Sequence, residues 1–233
     1  MREYPILFSG EMVRALLDGR KTQTRRVIKP QPTRMAYAGG VFSMGAIGFV
    51  GDEGKTFLCP YGKPGDRLWV RETWAPMCRN ADPICQCTED YEYRENHYIE
   101  YRADTGNPYP GQWPIDEARG NPDAPKWCPS IHMPRWASRI TLDVVRVRVE
   151  RLQEISRDDA IAEGLYSFTS NLGAKNSSPV RFYSASKGDE GGYMNPVEAF
   201  ENLWDSINAK RGYGWDVNPW VWVIEFNTEV RHD

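Results

Sequence analysis

The order of periodicities along this 233-residue chain predicts an α+β fold. Strand character recurs at Arg67–Glu72, Ile140–Leu152 and the apolar Trp220–Phe226, while Met12–Leu17 and Val197–Ile207 repeat apolar residues at helical spacing. Hydrophobic residues make up 40% of the chain and aromatic residues 12%, ample for a core, and no internal repeat interrupts the series.

Taken in order, Tyr4–Phe8 reads as a short strand, and Ser9 is placed to cap a helix that runs to Asp18 and closes at Gly19. The next segment, Gly19-Arg20-Lys21-Thr22-Gln23-Thr24-Arg25-Arg26, contains no apolar side chain. It is therefore expected to stay out of the core and to present its cations and hydroxyls to an anionic partner. Lys21 and Thr24 would point to opposite faces of an extended strand, so their convergence requires a bend at Thr22-Gln23. Val27–Lys29 resumes an extended run that Pro30 and Pro32 interrupt, and residues 33–58 suggest a loose hairpin around Ala46-Ile47.

Gly62-Lys63-Pro64-Gly65-Asp66 is a strong turn signal before the strand that delivers Arg71 and Glu72 close to Trp74. Residues 75–126 read as an irregular insertion in which only Tyr98–Tyr101 is strand-like. The prolines of Trp127–Arg139 fix the backbone of a segment mixing aromatic, hydroxyl and basic groups, and the longest strand, Ile140–Leu152, follows. Ser156 opens a short capped helix that Gly164 stops, with Glu163 in its last turn. Residues 166–194 form a second insertion or lid, Asn195-Pro196 caps a helix to Lys210, and a terminal strand covers Trp220–Phe226.

Net charge is 29 − 32 = −3, so any nucleic-acid contact must come from a local basic patch. No apolar run nears the about 20 residues that span a bilayer, and the N-terminus lacks a signal-peptide pattern, so a soluble cytoplasmic protein without a membrane partner is expected. Five cysteines, an odd number, favour reduced thiols. Cys78, Cys85, Cys87 and Cys128, with His97, are weak zinc candidates because their spacing lacks the usual two-to-four-residue knuckle. Cys59 reads as packing. Neither a metal nor a cofactor is implied.

Gly19, Lys21, Thr24 and Arg26 meet a Gly-x-Lys-x-x-Thr-x-Arg pattern. With Lys63-Pro64-Gly65-Asp66, Asp159–Gly164 and the terminal Trp-Val-Ile-Glu-Phe strand, the chain resembles the ASCH domain of the PUA-like superfamily, in the long form carried by phages and prophages. The match runs through residues 1–233 in order, as one domain with insertions near 75–126 and 166–194. The resemblance implies a PUA-like twisted β-barrel with flanking helices and a cleft for RNA, a nucleoside or a modified base. A small bacterial enzyme of the family is similar in this motif and removes the acetyl group from acetylcytidine; its catalytic Lys, Thr and Glu match Lys21, Thr24 and Glu163. Another member is described as a ribonuclease, so the family does not fix the reaction.

On that resemblance Thr24 attacks an amide carbonyl, Lys21 takes its proton and Glu163 protonates the leaving amine of cytosine. A lysine that serves as base near neutrality must drop from about 10.4 to about 7, roughly 4–5 kcal/mol of disfavoured charge. A tight pair with Glu163 would instead keep the amine charged and cast Lys21 as an oxyanion or phosphate ligand. Substrate contacts are expected from Arg20, Arg25, Arg26, Arg71, Trp74, Arg135 and Arg139; Trp69, Trp74, Trp127 and Trp136 could stack a base, although an aromatic side chain is more often core, and Arg135 and Arg139 could instead pair with surplus acids. Ser130 and His132 could add polar contacts. The competing functions are a non-catalytic RNA or modified-base module and a ribonuclease.

Overall fold

The computed structural model describes residues 1–32, 37–41, 47–50, 56–78, 97–104, 127–170, 179–187 and 192–231. Its centre is a five-stranded sheet. The strands are β1 (Glu3–Leu7), β2 (Gln23–Val27), β6 (Arg67–Arg71), β9 (Ile140–Arg151) and β12 (Trp220–Val230), in the order β1-β6-β9-β12-β2. β1 runs parallel to β6, and every other neighbour is antiparallel. Since β1 and β2 end the sheet without pairing, the described residues form an open mixed α+β architecture and no closed barrel.

Both faces of the sheet are covered. Helix α1 (Gly10–Leu17) lays Met12, Val13 and Leu16 against Ile140, Leu142, Val147, Trp222 and Ile224 on one face. On the other, α2 (Arg157–Ala162) and α3 (Pro196–Asn208) bring Ala160, Ala199, Phe200 and Trp204 onto Val221 and Val223. That double burial explains why β12 reads as a continuous apolar run from Val221 to Ile224.

β9 changes phase in mid-strand. Ile140, Leu142 and Val144 are buried, yet the next buried position is Val147, and Val145 is 51% exposed. A register shift opposite Glu225/Phe226 accounts for this, because one extra residue inverts the faces of everything beyond it. Past the bulge Val147 and Val149 join the α1 side of the core. Arg148 and Glu150 accordingly turn to the α2 side.

The helix caps divide. Asp159 N donates to the Ser156 hydroxyl and Val197 N to Asn195 Oδ1, as expected, whereas Ser9 makes no side-chain cap. Gly19 (φ 69°) ends α1 in the left-handed conformation. The hairpin expected within 33–58 is a three-stranded antiparallel sheet of β3 (Tyr37–Val41), β4 (Ile47–Val50) and β5 (Thr56–Leu58). Parts of both insertions are ordered ladders. β7 (Trp74–Cys78) pairs with β8 (His97–Tyr101), and β10 (Tyr166–Ser170) with β11 (Val180–Ser184). In the second ladder Phe168 and Phe182 are cross-strand partners stacked at 5.7 Å, which gives a Ser- and Gly-rich stretch a reason to pair.

Cys59 packs against the main core, and burial pushes its thiol up to about 12, so it behaves as a small hydrophobe. No described helix is long and apolar enough to cross a membrane.

Leu142 is fully enclosed at the centre of the sheet. Leu142→Ala is expected to cost about 2–5 kcal/mol in denaturant unfolding, whereas Val145→Ala, on the outward side of the bulge, should cost under about 0.5 kcal/mol.

Candidate functional site

The basic segment does not project outward. Lys21, Gln23, Thr24 and Arg25 are buried, which overturns the expectation that an all-polar stretch stays out of the core. The physical reason lies in the carboxylates that meet them. After Gly19 the Arg20 and Lys21 amides both donate to the Ala15 carbonyl, and Thr22 N donates to Ala162 O. These bonds draw the chain past the end of α2, where Lys21 forms an antiparallel bridge with Glu163 before β2 begins at Gln23.

The Lys21 ammonium, 2% exposed, donates to the Glu163 backbone carbonyl at 2.7 Å and to Glu163 Oε2 at 3.0 Å. Arg25 Nη1 donates to Glu163 Oε1 at 3.0 Å, so both carboxylate oxygens are engaged. The remaining arm of Arg25, Nη2, reaches Glu150 Oε2 at 3.0 Å and Asp159 Oδ2 at 3.2 Å. Arg148 closes the network by donating to Glu150, Asp159 and Glu225. A carboxylate at the C-terminal end of α2 would ordinarily oppose the helix dipole, and two cations offset that here.

Electrostatics follow from this enclosure. Burial pulls the Lys21 ammonium below the ordinary lysine range; Arg26 and Arg25 act in the same direction, and the Glu163 contact works against them. Burial alone would raise the Asp159 carboxyl, but Arg148 and Arg25 outweigh it and hold it low.

Thr24 sits on the other face of β2, opposite Ile224, and is 4% exposed. Together with Lys21, Glu163 and Arg26 it lines a cleft of about 750 Å³ along the β2 edge of the sheet. Leu7, Phe8 and Trp222 wall it from one face, and Phe200, Leu203 and Ile207 from the other. Phe8 is the common floor: the Arg26 guanidinium lies 4.9 Å and the Lys21 ammonium 5.6 Å from its ring centre. The amine, hydroxyl and carboxyl picked out from the sequence thus share one opening.

Other expected contact residues lie elsewhere or hold a different task. Arg25 is a buried clamp on three carboxylates, which take up both of its terminal nitrogens. Arg20 pairs with Asp18 and donates to the Gly164 carbonyl, bracing the turn after α2. Arg71 donates to the Ile131 carbonyl and lies over Trp69. Trp74 is core, edge-on to Trp136 and packed with Met133 and Ala137. Arg135 pairs with Glu3, and Arg139 forks between Glu72 and Asp104 over the Tyr101 ring; both answer to surplus acids. Ser130 reaches the cleft lining, while His132 does not. Cys85 and Cys87 lie outside the described residues, as does the Cys78 side chain. Half-buried Cys128 bridges Trp74, and no metal-ligating cluster occurs among the described residues.

Sequence reasoning overlooked Glu150, Arg148 and Asp159 as supports of the site, and Phe8, Lys29, Arg211 and Tyr213 in its lining. One signal was available for the first group: the phase change at Val144-Val145-Arg146 marks where β9 turns its charges to the α2 side. No protein-family model, curated protein or solved structure matches the chain.

Gly164 sits at φ 99°, and an added Cβ would lie 2.9 Å from both the Ala15 and Lys21 Cβ atoms. Gly164→Ala is therefore expected to lower stability by about 1–3 kcal/mol and to displace Lys21 from Glu163. Thermal unfolding of that variant beside Gly19→Ala, whose Cβ would meet nothing, separates the crowding from backbone strain common to both.

Proposed function

We propose that this chain is an ASCH-type, PUA-like protein that takes an acylated nucleobase into the β2 cleft and hydrolyses its N-acyl group with Lys21, Thr24 and Glu163. The observation that carries this reading is the 3.0 Å contact between Lys21 Nζ and Glu163 Oε2 inside a cleft that Thr24 also lines. On the same reading the open sheet is the described part of a PUA-like barrel.

Thr24 Oγ1 forms the new bond to the acyl carbon while its proton passes to Lys21. Collapse of the tetrahedral intermediate breaks the C–N bond, and the exocyclic amine leaves with a proton relayed through Lys21 and Glu163. Water then cleaves the threonine ester and releases the carboxylic acid. A neutral amine has two N–H groups, which match the two Glu163 oxygens that Lys21 already contacts and leave its lone pair for the threonine proton. Once protonated, its third N–H can hold the oxyanion. The Glu163 contact favours the charged amine, but burial outweighs it and lowers the affinity of Lys21 for its proton, which supports the base role.

A second reading, a non-catalytic module for RNA or a modified base, is favoured by one feature. Arg26, Lys29 and Arg211 face the cleft with no carboxylate partner among the described residues. Salt-sensitive oligonucleotide binding without product would mark that outcome.

Thr24→Val keeps the side-chain volume and leaves the ion pairs untouched. It is expected to slow acetate release from N4-acetylcytidine by about 10²–10⁴-fold with an unchanged circular-dichroism spectrum, as is Lys21→Met if it folds. Release at the wild-type rate by Thr24→Val rejects the mechanism. Because the deprotonated amine is the active form, kcat/KM should rise with pH along a limb whose midpoint falls below the ordinary lysine value of 10.5. A rate independent of pH over the range where the fold persists argues against Lys21 as base.

A further inference from the structure

Among the described residues, five cations and one carboxylate line the cleft: Lys21, Arg25, Arg26, Lys29 and Arg211 against Glu163. The first two are spoken for, since Lys21 and Arg25 share Glu163, and Arg25 holds Glu150 and Asp159 as well. Arg26 is different. Its Nη2 donates to the Leu7 carbonyl at 2.6 Å, its plane lies against Phe8, and its Nε is buried with no hydrogen-bond partner. No carboxylate pairs with it among the described residues. Arg20, Arg67, Arg135, Arg139 and Arg148 each have an acidic partner, whereas Arg26 is a half-buried guanidinium that faces the cleft without one.

Two exposed cations continue the line outward. Lys29 follows β2 and holds its ammonium 5.2 Å from the Tyr213 ring centre, and Arg211 lies in the turn after α3. Desolvation already depresses the Arg26 guanidinium, and Arg211 adds to that repulsion. An anion entering here would relieve both. A chain of net charge −3 has no general reason to gather cations at one opening.

We propose that Arg26, Lys29 and Arg211 form a phosphate-recognition site, so that the ligand of this cleft is a nucleotide and not a bare nucleoside. The inference rests on the nucleobase reading above and extends it. Arg26 lies two residues along β2 from Thr24 on the same face, about 7 Å away, and Lys29, past the end of the strand, is exposed. The base therefore enters first, toward Thr24 and Lys21, and the phosphate stays outermost. Free Arg26 donors and the Lys29 and Arg211 side chains supply the charge-assisted bonds that phosphate oxygens accept.

The test compares cytidine 5′-monophosphate with cytidine by titration calorimetry on the full chain. Charge-assisted bonds of this kind predict that the nucleotide binds at least about tenfold more tightly, and that the advantage shrinks with added salt. In Lys29→Gln/Arg211→Gln, whose substitutions are exposed and spare the buried network, most of the advantage should vanish while cytidine binding holds. Equal affinity for the two compounds, an advantage that survives the double variant, or no binding of either overturns the proposal. A short oligocytidylate arm identifies the source: a gain already complete with the mononucleotide assigns the site to free nucleotide, and a further gain with the oligomer assigns it to a chain. Binding does not require turnover. Nucleotide preference without acetate release sinks the hydrolytic reading alone, and acetate release without nucleotide preference sinks the phosphate site alone.

Discussion

The structure depends on one requirement: buried charge must be answered by buried charge. Lys21, Arg25 and Arg148 are interleaved with Glu163, Glu150, Asp159 and Glu225 across β2, β9, β12 and the end of α2. Desolvating each ion costs several kcal/mol, and mutual attraction returns that only when the geometry is good. Such a network adds little net stability. Its effect is on uniqueness, because a slip of β2 by one residue would turn Arg25 to the opposite face, away from the three carboxylates it clamps. The hydrophobic contacts of α1 and α3 hold the sheet together, and the ion network selects the register in which it is held.

The same requirement shapes the exposed side of the site. β2 is an edge strand, and a bare edge invites pairing with another chain. Here Arg26, Lys29 and the turn carrying Arg211 crowd that edge with positive charge, which discourages a neutral strand from docking and attracts an anion. Inward of that edge, Phe8 gives both Lys21 and Arg26 a π face to rest on, so Arg26 is held in place without a carboxylate that would cancel its charge. Protection of an edge and preparation of a ligand site are served by one arrangement.

Close backbone approach makes the meeting of distant segments feasible. Gly164 lets the end of α2 come within contact of Ala15 and Lys21, and the Lys21–Glu163 bridge then places an amine beside a carboxyl 142 residues away in the chain. The β9 bulge contributes from the third direction by turning Arg148 and Glu150 toward α2. Each device is local, and each would be without purpose if the others were missing.

Strand and helix positions were largely legible in the chain, because periodicity reports which face of an element is covered: β6, β9, α2 and α3 fall where their patterns put them, and β12 extends past its expected end. Gly19, Gly164, Ser156 and Asn195 likewise announced their turns and caps through chemistry confined to a few neighbours. The fate of Gly19–Arg26 was not legible. Its polarity predicted exposure, yet whether a cation is buried depends on whether carboxylates far along the chain arrive beside it. Arg135 and Arg139 show the converse, since nothing near them in sequence reveals that Glu3, Glu72 and Asp104 are waiting. The amino-acid sequence by itself determined the elements, their caps and the residue types available for chemistry, all of which are governed by local sterics and periodicity. Tertiary structure alone decided which cations were neutralised and which were left facing the cleft, because charge pairing is set by distance in space and not by separation along the chain.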